Sequence, residues 1–108
     1  MGAYMPIPRR LLAHDVEVRL PDGKGGYLEA VAVRRVAVQM RQSVCDDEHR
    51  SADAGAGVVF LDAVHTDPWM EIPAGARIDF GGSSYYVTST QTYETVRGQV
   101  HHAEVEFK

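Results

Sequence analysis

His14-Asp15-Val16-Glu17-Val18-Arg19-Leu20 alternates without a break: Val16, Val18 and Leu20 fall on one side, and Asp15, Glu17 and Arg19 on the other. A period of two marks a β-strand with one dry and one wet face, because successive side chains of extended backbone point in opposite directions. Pro21-Asp22-Gly23-Lys24-Gly25-Gly26 follows, supplying one fixed φ and several residues that tolerate positive φ, which predicts a reversing loop and a hairpin. The returning strand is expected over residues 27–40, as one long bent run. Its apolar phase changes from Val31 and Val33 to Val36 and Val38 across Arg34 and Arg35, and a bulge at the two arginines would swap the faces in this way.

Working outward, the same period recurs. Val58, Val59, Phe60, Leu61, Ala63 and Val64 stand between glycine and Thr66-Asp67-Pro68 and read as the central strand. Arg77-Ile78-Asp79-Phe80 is a short alternating strand, and Gly81-Gly82 marks a tight hairpin. In the β-prone run 84–93, Tyr85, Val87 and Ser89 oppose Tyr86, Thr88 and Thr90; Ala103, Val105 and Phe107 alternate at the end of the chain. Residues 45–54 carry no apolar stripe that would hold a helix to a core. About six strands without a long helix predict an all-β fold, a small antiparallel β-barrel or sandwich, and closure of the sheet would hide its edges.

A chain of 108 residues is the size of one domain. The expected organisation is an N-terminal arm, 1–13, then a single β-barrel domain, 14–108, with an exposed polar loop at 41–57. Hydrophobic residues at 44% and charged residues at 24% are ordinary globular values, so disorder is not favoured. The apolar runs fall well short of the roughly 20 residues that a spanning helix needs, and the first residues lack the apolar core of a signal peptide, so no membrane association is expected. Cys45, alone, cannot close a disulfide within the chain, which fits a reducing cytoplasm. A net charge of -4 argues against a general nucleic-acid binder, since gripping phosphates takes a basic face.

The chemistry-bearing residues make no recognisable reaction centre. His101-His102 with Glu104 and Glu106 invites a metal reading, but neighbours on a regular strand point to opposite faces and would not share one ion. Cys45 and His49 lie four apart in the polar loop, where Asp46, Asp47 and Glu48 disfavour a thiolate. Gly23, Gly25 and Gly26 precede no helix that would receive a phosphate, so they read as turn glycines. Tyr85, Tyr86 and Tyr93 lack the basic groove of a single-strand binder and read as sheet packing. Trp69 either caps the barrel or anchors a partner. No catalytic, metal or cofactor residue is assigned, and no cofactor or enzymatic activity is expected.

Three stretches carry a family resemblance: Met5-Pro6-Ile7-Pro8-Arg9-Arg10-Leu11-Leu12, then Ile78-Asp79-Phe80-Gly81-Gly82-Ser83-Ser84-Tyr85-Tyr86-Val87, then His101-His102-Ala103-Glu104-Val105. With these, nearly the whole chain resembles the minor capsid proteins of tailed bacteriophages and prophages, which are related in kind to head-completion, stopper and head-tail joining proteins. The resemblance implies a structural virion component: a homo-oligomeric ring at the portal vertex, assembled in the host cytoplasm, that contacts the portal or adaptor protein and tail proteins. Double-stranded DNA would pass through such a ring without sequence-specific binding. A cellular β-barrel adaptor is the alternative, and a small enzyme or metal protein stands behind both.

Partner contacts are expected from the arm residues Pro6, Ile7, Pro8, Arg9, Arg10, Leu11 and Leu12, from Arg41, Asp46, Asp47, Glu48 and Arg50 in the polar loop, and from Trp69. An arm stiffened by two prolines loses little entropy on docking to a neighbour. The same residues would equally serve as a plug for their own barrel, with Ile7, Leu11 and Leu12 filling the core.

Overall fold

The computed structural model describes residues 6–41 and 56–108. Among the described residues, a 3-10 turn, Arg9–Leu11, is followed by six strands: β1 His14–Arg19, β2 Val31–Met40, β3 Gly57–Asp62, β4 Arg77–Phe80, β5 Ser83–Glu94 and β6 Val100–Phe107. They close into an antiparallel barrel in the order β1-β2-β3-β6-β5-β4, with β4 pairing back onto β1. The expected all-β architecture is therefore a barrel rather than a sandwich.

Alternation places the core as the sequence predicts. Val16 and Val18 of β1, Val33 and Val36 of β2, Val59 and Leu61 of β3, Ile78 of β4, Val87 of β5, and Ala103, Val105 and Phe107 of β6 form one buried cluster. Ile72 and Ala76, from the β3–β4 connection, complete it. The phase change in β2 is a bulge at Arg35: His14 faces Val36 while Asp15 faces Arg34, and Arg35 takes a φ of 60°, a left-handed conformation uncommon for a side-chain-bearing residue. Both flanking valines, Val33 and Val36, thereby reach the interior. At Gly57 the space is fully used, since a Cβ there would lie 2.5 Å from the Gln39 carbonyl oxygen and 2.8 Å from Cζ of Phe107.

Two strand boundaries and the register of β5 differ from expectation. The returning strand begins at Val31 rather than Tyr27, which makes only an isolated bridge to Pro21. Three steps along β1, from Pro21 to Val18, are matched by four on the other side, from Tyr27 to Val31, so the ladder cannot run continuously. The central strand stops at Asp62, short of Ala63 and Val64, because the Asp62 carboxylate accepts from the Val64 and His65 backbone amides and turns the chain. In β5 the expected alternation fails after Val87. Val87 faces Phe107 while Ser89 faces Glu106, so Thr88 is an extra residue, and Thr90 and Thr92 turn to the side of Ala103 and Val105 that Ser89 was expected to take. Gly81 and Gly82, with φ of 61° and 82°, make the tight β4–β5 turn.

Candidate functional site

The residues expected to meet partners are separated by the fold into three places. The first is the arm. Ile7 donates its backbone N–H to Asp62 Oδ1 at 2.8 Å, and Leu12 is buried, so the arm is fastened to its own barrel at two points. Between those points, Leu11 of the 3-10 turn stays 54% exposed, with Arg9 and Arg10 exposed beside it. The fastening is built by Asp62, which is fully buried. One of its carboxylate oxygens takes the Ile7 amide and the other takes Val64 and His65 at 3.0 and 2.9 Å. A buried carboxylate is tolerated only when its lone pairs are satisfied, and here backbone donors satisfy them. The Thr66 hydroxyl accepts from the Asp62 amide at 2.8 Å and donates to the Arg35 carbonyl at 2.7 Å, tying the turn to the β2 bulge. Sequence reading passed over Asp62 because a single acidic residue after an apolar strand looks like the start of a solvated loop.

The second place is a groove of about 730 Å³ between the β1–β2 loop, the segment after β3 and the inner side of β5 and β6. Trp69 lines it with Leu20, Leu28, Met70 and Ile72, and Trp69 also packs against the core cluster. The indole thus covers the core and borders the groove at once, with Thr90, Thr92, Ala103 and Val105 opposite. Thr90 is fixed there by a hydrogen bond from its hydroxyl to the Ile72 carbonyl.

The third place is Arg41 at the end of β2, which pairs with Glu106 at 3.1 Å on the exposed surface. Six residue steps of extended chain separate it from the Arg35 bulge, roughly 20 Å. Asp46, Asp47, Glu48 and Arg50, with Cys45 and His49, lie outside the described residues.

At the start of β6 the structure corrects one inference. His101 and His102 were expected on opposite faces, yet their Nδ1 atoms lie 2.9 Å apart. The β5–β6 ladder slips at this point: Tyr93 faces His102 while Glu94 faces Val100, leaving His101 as an extra residue that breaks the alternation. The His102 ring stacks on Tyr93, with centroids 4.6 Å apart and planes within 8° of parallel, and its Nε2 lies 3.2 Å from Glu104 Oε2. Among the described residues, no three His, Cys, Asp or Glu side chains converge as a metal-ligating set. No helix among them is long and apolar enough to cross a membrane.

No curated protein and no solved structure matches the chain. Residues 8–107 match the family model described as minor capsid protein. That span takes in the second half of the arm and all six strands, including the His101-His102 run and the Gly81-Gly82 hairpin. The chain belongs to the minor capsid protein family, and is thereby a structural component of a phage virion.

Proposed function

We propose that this minor capsid protein is a head-tail connector subunit, of the head-completion or stopper type, that assembles as a ring of copies at the portal vertex. In this reading one side of the ring meets the portal or adaptor protein, the other meets tail proteins, and DNA passes through.

The observation that carries the proposal is the β5–β6 hairpin. β4 reaches β5 only as far as Tyr86, and β3 reaches β6 only as far as His102, so the end of the hairpin outruns both neighbours. Every residue of β5 from Thr88 to Glu94 is exposed, and Tyr93, Val96 and Val100 lie open at the tip, Val96 at 83%. Apolar side chains grouped on a projecting element mark a surface that another protein covers. Leu11, presented between two fastened points of the arm, supplies a second contact of the same kind. The acidic balance of the chain supports passage of DNA, since like charge does not hold phosphate.

The decisive experiment is assembly in the absence of the protein. DNA-filled heads made without it should fail to join tails, and adding the purified protein should restore joining and place it at the portal vertex by electron microscopy. Val96→Asp should restore poorly while leaving the melting temperature of the isolated protein unchanged. Normal joining without the protein overturns the connector role.

A further inference from the structure

We infer that the groove beside Trp69 receives the β5–β6 turn of a second copy of this chain, so that each subunit inserts its hairpin tip into the next. The inference rests on the connector reading and names the contact that would build its ring.

The tip is a preformed knob. The Thr95 amide donates to the Gln99 carbonyl at 2.7 Å and the Gly98 amide to the Thr95 carbonyl at 2.9 Å. The Thr95 hydroxyl accepts from the Arg97 and Gln99 amides at 3.2 and 3.3 Å. The turn thus satisfies its own backbone, yet where turn chemistry favours glycine or a polar residue it carries Val96, the most exposed large apolar side chain among the described residues. Val100 lies open close by in sequence.

The groove is a preformed hole. The Asp22 carboxylate accepts from the Lys24 and Gly26 amides at 2.7 and 3.0 Å and shapes the β1–β2 loop, which the Leu28 amide closes onto the Leu20 carbonyl at 2.8 Å. The Tyr27 hydroxyl donates to the Gly75 carbonyl at 3.1 Å, tying that loop to the segment before β4, and the Thr90 hydroxyl ties the same segment to β5. Between these walls Leu20, Leu28, Trp69 and Met70 line about 730 Å³. With both surfaces held in advance, docking loses little ordering entropy.

Charge agrees with shape. Arg97 follows Val96 in the tip, Glu71 lines the groove, and both are exposed with no ion-pair partner among the described residues. Seating Val96 among the apolar side chains leaves Arg97 at the rim with Glu71 to meet. Knob and hole are different surfaces of one chain, so their contact is heterologous: every copy gives its tip to one neighbour and takes the tip of another, and the series closes into a ring when the rotation per copy allows. A portal or tail protein would fill one of the two surfaces and leave the other bare. Because the inner side of β5 and β6 forms one wall of the groove, successive hairpins would overlap around that ring.

The test adds the full chain with Cys45→Ser, Val96→Cys and Leu28→Cys to DNA-filled heads made without the protein, followed by mild oxidation. Disulfide-linked bands beyond the dimer support the inference. Dimers alone mean reciprocal exchange between two copies and overturn it. A ring seen by electron microscopy at the portal vertex with no link also overturns it, while leaving the connector role standing; failure of the unaltered protein to add to heads removes both. Should the cysteine chain not fold, a charge swap decides. Arg97→Glu or Glu71→Arg alone should lower addition to heads about two- to fivefold at unchanged melting temperature, and the two together should restore it. Single variants equal to the parent, or a double variant no better than the singles, overturn the inference.

Discussion

β3 and the outer half of β5 are both β-prone strands paired with β6, yet one is almost wholly buried and the other almost wholly wet. In β3 every residue except Phe60 is buried; in β5 every residue from Thr88 to Glu94 is exposed. β3 lies between β2 and β6, so both of its edges are hydrogen-bonded, and Val59 and Leu61 enter the core. The outer half of β5 pairs with β6 alone, and its sequence, Thr88-Ser89-Thr90-Gln91-Thr92-Tyr93-Glu94, supplies β-branched stiffness without apolar volume. Strand propensity and burial are thus separable, and this protein uses valine where it needs both and threonine where it needs only the first.

The contrast would break if core and hairpin responded alike to truncation. Phe107→Ala removes a side chain with no exposed surface, in tilted contact with Tyr85, and should cost about 3–5 kcal/mol in urea unfolding. Asp62→Ala leaves the Ile7, Val64 and His65 amides without their acceptor and should cost about 3 kcal/mol. In that variant the Ile7 amide should exchange with deuterium faster than the β3 amides; equal protection would mean that the Asp62 carboxylate is not what holds it. Gly57→Ala forces a methyl group against the Gln39 carbonyl and Phe107, at about 1–3 kcal/mol. Thr92→Ala, by contrast, should stay within about 0.5 kcal/mol of the parent. A value near that of Phe107→Ala would show the hairpin to be part of the cooperative core.

The comparison also explains what could be read from sequence. The barrel was legible because its core is written at period two: Val16 and Val18, Val59 and Leu61, and Ala103, Val105 and Phe107 all point where alternation puts them. Even the β2 bulge left a trace, since two arginines stand where the valines change phase. The bulges at Thr88 and His101 left none, because the run after Thr88, Ser89 to Thr92, is polar on both faces and so is the His101-His102 pair, so that a slip there changes no apolar pattern. The same silence hid the histidine pair, whose closeness depends on that slip. The place of Asp62 was illegible for another reason: its partners are backbone amides, which every residue possesses. Of the expected partner surface, Leu11 stood open between docking to a neighbour and filling the core, and it lies exposed; Trp69 was legible as a cap or an anchor, but not the groove beside it.

The smallest effect expected lies where the two regimes meet, in the β4–β5 hairpin. Asp79 is placed on the outer side of β4 and accepts from the Ser84 hydroxyl at 2.6 Å and from Arg77 Nε at 3.0 Å. The Ser84 bond, helped by the charge of Arg77 and opposed by partial desolvation, holds the Asp79 carboxyl below the usual aspartate value. A carboxyl lowered in the folded state adds stability that is fully present above the usual aspartate range and is lost as the pH falls through the lowered value. Ser84→Ala removes the leading cause, so in a carboxyl NMR titration Asp79 should move up toward an ordinary aspartate while Arg77 keeps part of the depression. Because Arg77 and Asp79 reach solvent, added salt should shrink the Arg77 contribution and leave that of the Ser84 bond. If Ser84→Ala leaves the titration where it was, the hydroxyl does not set it, and the polar face of the hairpin is held by charge alone.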